Sequence, residues 1–133
     1  MNLELVPSKP SDLQQFMGQN LVNEFIPFAC YDKHMDCIRV QLSDCSFTEQ
    51  RLNPFLTILE KNHASTSDFI GCTIKGVRHL FETLGLEPKG IIPLVEIIDS
   101  IIKIYPDHAA KVIQDFTFSS EAKDLSVNFA DAA

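Results

Sequence analysis

The sequence predicts an α+β domain in which several helices pack on a small mixed sheet of about three strands, and the C-terminal part is all helical. Three observations carry that expectation. Cys37-Ile38-Arg39-Val40-Gln41-Leu42 alternates with period two, as a strand with one buried face does. Between Pro93 and Tyr105 the polar residues Glu96, Asp99, Ser100 and Lys103 fall at i, i+3, i+4 and i+7, so a mostly apolar helix shows one narrow polar stripe. The chain has 133 residues and is 45% hydrophobic, enough for a single buried core without a disulfide or metal staple.

The elements follow in order. Ser11 or Asp12 can cap a first helix, with Leu13, Phe16, Met17 and Leu21 on its apolar face and Pro27 beyond its end. Phe28-Ala29-Cys30-Tyr31 and Cys37–Leu42 flank a polar turn, which predicts a β-hairpin near 28–43. Ser46-Phe47-Thr48-Glu49 matches a capping box, and Asn53-Pro54 offers a second helix start. Leu52, Phe55, Leu56 and Leu59 would share that helix's face as far as about Lys61. Asn62–Asp68 is loop-like, and Phe69–Ile74 reads as a third strand near 69–74. A right-handed β-α-β crossover would set it parallel to the second strand.

Val77, Leu80, Phe81 and Leu84 then repeat at helical spacing, with Gly85 as the C′ residue. The apolar helix from Pro93 follows and Pro106 closes it. Asp107 caps a last helix whose face is Ala109, Ala110, Val112, Ile113 and Phe116. After Phe118 the pattern weakens. Leu125, Val127 and Phe129 alternate as an added edge strand would, before a frayed end. Residues 1–118 therefore read as one domain and 119–133 as a weakly structured tail.

Composition narrows the function classes. Eighteen acidic against eleven basic residues give a net charge of −7, which opposes binding to a phosphate backbone. No apolar run has the length of a membrane span, and the first residues lack the basic and apolar regions of a secretory signal. The expectation is a cytoplasmic protein with reduced cysteines, no nucleic-acid or membrane partner and no cofactor.

Candidate chemistry is sparse. Cys30, Cys37, Cys45 and Cys72 are separated by six, seven and twenty-six residues, without the close C-x₂₋₄-C pairs of zinc sites. The nearest approach to one would use Cys30, His34 and Cys37, with Cys45 returning as a fourth ligand. Asp32, Asp36 and Asp44 lack the alternating ligands of a calcium loop. Cys72, His79 and Glu82 can be drawn as nucleophile, base and orienting group, but His79 falls well inside the helix that follows. Lys75, Arg78 and His79 are the local basic cluster, and Gly76 could let an anion approach the helix amides.

Two functional expectations result. One is a non-enzymatic interaction or regulatory module that self-associates, or binds another protein, through a flank of the apolar helix at Val95, Ile98, Ile101, Ile102 and Tyr105. The other is a small-molecule or anion-binding domain, enzymatic or not, with its site at Cys72, Lys75, Arg78 and His79.

Overall fold

A computed structural model describes residues 25–61 and 68–129. The helix read over Ser11–Leu21 and the loop at 62–67 lie outside the described residues.

The hairpin forms where the alternation placed it, as β1 (Phe28–Asp32) and β2 (Cys37–Gln41). Its turn is set by Asp32, whose Oδ1 accepts from the amides of His34 and Met35 at 3.0 and 3.1 Å. Asp36 closes it with φ 53°, a left-handed conformation that Asp tolerates better than most residues.

The next stretch differs from its expectation. In place of a helix it forms β3 (Phe47–Arg51) and β4 (Leu56–Lys61), an antiparallel hairpin. The i, i+3, i+4, i+7 spacing of Leu52, Phe55, Leu56 and Leu59 suits a helix, but Leu56-Thr57-Ile58-Leu59 is a continuous run buried on both faces. A central strand needs such a run, and β-branched Thr57 and Ile58 favour it. The Asn53 side chain still caps, in a turn: its Oδ1 accepts from Phe55 and Leu56 amides at 3.0 and 2.7 Å.

β5 (Phe69–Lys75) is the predicted third strand, but it runs antiparallel to both neighbours, β2 and β4. With a strand in place of the helix, no crossover remains. The sheet has five strands in the order β1-β2-β5-β4-β3. Gly71 is required in its middle, because a Cβ there would run into the Val40 carbonyl oxygen.

Three helices follow: α1 (Val77–Leu84), α2 (Leu94–Ile104) and α3 (His108–Phe118). Gly85 ends α1 at φ 74°, and Asp107 caps α3 by accepting from Ala110 N at 2.8 Å. The C-terminal part is not all helical. Before α2 lies β6 (Ile91–Pro93), which pairs with β7 (Ser126–Asn128) beyond a short 3₁₀ turn at Glu121–Asp124. Alternation of Leu125, Val127 and Phe129 supplies β7, and pairing holds the segment although its own pattern is short. The described residues therefore form seven strands, where the sequence predicted about three.

Ile38, Val40, Leu56, Ile58, Cys72 and Ile74 project from one face of the large sheet into a single core. Val77, Leu80 and Phe81 of α1, Leu94, Ile97, Ile98 and Ile101 of α2, and Ala109, Ala110, Ile113 and Phe116 of α3 complete it. The helices thus form one layer on one side. Phe129 is buried between Tyr31 and Phe81, with ring centroids 5.1 and 5.4 Å away, and ties the chain end to β1 and α1.

Candidate functional site

The five residues proposed as a helix flank separate in the structure. Ile98 and Ile101 are each 1% exposed and belong to the core, against the sheet. Val95, Ile102 and Tyr105 are half-buried at its margin, and the Tyr105 ring packs on Phe55 at 5.3 Å. Glu96, Lys103 and Ile104 are exposed. α2 is thus covered mainly by its own domain, and each buried Ile contributes about 1.5–3 kcal/mol to that packing.

The second cluster is also divided. Cys72 points into the core and is fully buried, and loss of water pushes its thiol up to about 12 from 9.0. Lys75 lies on the opposite face of the same strand, while Arg78 and His79 are exposed on α1. The helix N-terminus is already occupied. Asp36 accepts from Arg78 N through Oδ1 at 3.1 Å and Oδ2 at 3.3 Å, and its carbonyl accepts from Val77 N at 3.1 Å. Tyr31 Oη donates to the same carboxylate at 2.7 Å. An external anion would have to displace a carboxylate that the fold supplies.

The thiols are scattered as well. Cys30 is exposed on the sheet face away from the helices, Cys37 is buried beside it, and Cys45 is half-buried. Burial raises the Cys30 thiol, and nearby Arg39 opposes the shift. Among the described residues no three His, Cys, Asp or Glu side chains converge where they could hold a metal ion.

What sequence reading did not single out is the other face of the sheet. Strand register lays its side chains in rows. One row is Cys30, Arg39, Thr73, Thr57 and Arg51; the next is Phe28, Gln41, Gly71, Leu59 and Glu49. Beyond them stand Asp32, Cys37 and Lys75 at one end, and the Phe47–Lys61 pair at the other. No described helix covers this face. Met35 (65% exposed) and Phe47 (37% exposed) edge a groove of about 300 Å³ whose lining includes Arg39, Leu59, Thr73 and Lys75. The Gly71 row has no side chain at its centre, and the Leu59 side chain and Val40 carbonyl close over it. The signal was present in the alternation of β2 alone. The helical spacing of Leu52, Phe55, Leu56 and Leu59 hides its continuation over residues 47–61.

A larger concavity of about 470 Å³ lies between Phe69 and the end of α3. Its hydroxyls are spent locally: Ser119 Oγ donates to Asp115 O at 2.6 Å and Ser120 Oγ to Phe116 O at 2.7 Å. The sheet groove, lined by Arg39, Glu49 and Lys75 and edged by exposed apolar side chains, is the better candidate for recognition.

Comparison with protein-family models, with curated proteins and with solved structures gives no significant match. Among the described residues no helix is long and apolar enough to cross a membrane.

Proposed function

We propose that the protein is a non-catalytic interaction module that receives a segment of another protein on the face of its five-stranded sheet that no described helix covers. One observation carries this reading: Met35 and Phe47, large apolar side chains, stand exposed beside a groove on the face opposite the three described helices. Exposed apolar groups with a charged surround are a usual composition for a docking surface. The raised thiol of Cys72, sealed in the core, argues against a nucleophile at the end of β5.

Site-specific photo-crosslinking in living cells tests the proposal. A photoreactive residue replacing Phe47 should trap a discrete partner, and the same residue replacing exposed Ile104 should not. No adduct at position 47, or equal adducts at both, would refute it. Self-association through α2 is the second reading, supported by the half-exposed Ile104 beside half-buried Val95, Ile102 and Tyr105. An adduct between two copies from position 104 alone would favour it.

A further inference from the structure

The sheet face inverts the charge of the molecule. Arg39, Arg51, Lys61 and Lys75 stand on it against Asp32 and Glu49, in a chain whose net charge is −7. Two of the cations are partly engaged. Arg39 lies 3.8 Å from Asp32, and Arg51 donates to the carbonyls of Asn53 and Pro54 at 3.4 and 3.0 Å. Among the described residues, Lys61 and Lys75 have no carboxylate within ion-pair distance. Arg39 and Arg51 also flank Thr73 and Thr57 in one row, roughly three strand spacings or 14 Å apart. Thr57 is 2% exposed, and its hydroxyl makes no hydrogen bond among the described residues.

We infer that the segment received on this face is an acidic one, with carboxylates interspersed among apolar side chains. This rests on the interaction-module reading and names its partner's chemistry. The carboxylates meet Lys75, Lys61 and the two guanidinium groups, and the apolar residues pack between the exposed side chains of Met35 and Phe47. A short acidic peptide fits better than a nucleic acid. Fields of exposed charges are screened over about 8 Å at physiological ionic strength, so a short segment senses the local cations. An extended polyphosphate would also meet the acidic remainder of the molecule.

The test is fluorescence anisotropy of the full chain with short fluorescein-labelled peptides. One alternates Glu and Leu, a second alternates Lys and Leu, and an oligothymidylate serves as the third probe. The Glu–Leu peptide should bind best and weaken as salt rises. Lys75→Glu and Lys61→Glu, at exposed sites that leave the melting temperature near wild type, should each weaken it about tenfold. Preference for the Lys–Leu peptide or for oligothymidylate, unchanged affinity in both variants, or no binding of the Glu–Leu peptide would overturn the inference. A position-47 adduct obtained together with any of those results would retain the module and discard its acidic partner.

Discussion

Asp36 does three things at once. Its left-handed backbone closes the β1–β2 turn, its carboxylate caps α1, and it accepts from the Tyr31 hydroxyl at 2.7 Å. Asp36→Ala should therefore cost about 1–3 kcal/mol in urea denaturation, because a helix cap and a charged hydrogen bond go together. A change below a few tenths would mean that water replaces the carboxylate without loss. Cys72 makes a second case. Its thiol is held neutral by burial up to about 12, whereas the unfolded chain releases that proton near 9.0. Between those values the unfolded state binds fewer protons, so stability is intact below pH 9 and falls as pH rises towards 12. Cys72→Ala should flatten this alkaline decline, though it leaves a small cavity. An equally steep decline in the variant would contradict the assignment. Thiol labelling at neutral pH should reach Cys30 and Cys45 quickly, and reach Cys37 and Cys72 only on unfolding.

The β3–β4 hairpin is the element that decides the architecture. Asn53→Ala removes the side-chain oxygen that accepts from two backbone amides in its turn and should cost about 1 kcal/mol. Gly71→Ala should do far more damage, because the collision is with the backbone of β2. Circular dichroism and thermal melting of both variants check these outcomes. That same hairpin marks where sequence reading stopped. β1, β2, β5 and all three helices were legible, since alternation, capping residues and C′ glycine each act locally. Residues 47–61 were not, because Leu52, Phe55, Leu56 and Leu59 satisfy a helical period by coincidence. Only pairing with β5 makes the extended form the better one. β6 and β7 were missed as a pair for a related reason: each has three residues, and their register joins positions far apart in the chain. The recognition face was lost with β3 and β4, because two of the five residues in each full row stand on them.

Among the described residues, three helices bury one side of the sheet, and no described helix lies on the other. α2 is the keel of that arrangement. Ile98→Glu would place a charge at a 1% exposed position, and should unfold the domain outright. Ile104→Glu, at a half-exposed site, should be tolerated within about 0.5 kcal/mol. Comparable destabilisation by both would mean that the outer flank of α2 is also covered in the native protein. Charge is distributed to match the two sides. Basic side chains gather on the sheet face of an acidic chain, and an acidic segment would feel their attraction only within about 8 Å of that face.

The most direct measurement is a two-dimensional NMR titration of the isotope-labelled chain with the Glu–Leu peptide. Amide shifts are expected at Arg39, Gln41, Glu49, Leu59, Thr73 and Lys75, with Val95, Ile102 and Tyr105 unmoved. Shifts confined to those three residues of α2 and its C-terminal cap would contradict docking on the sheet face.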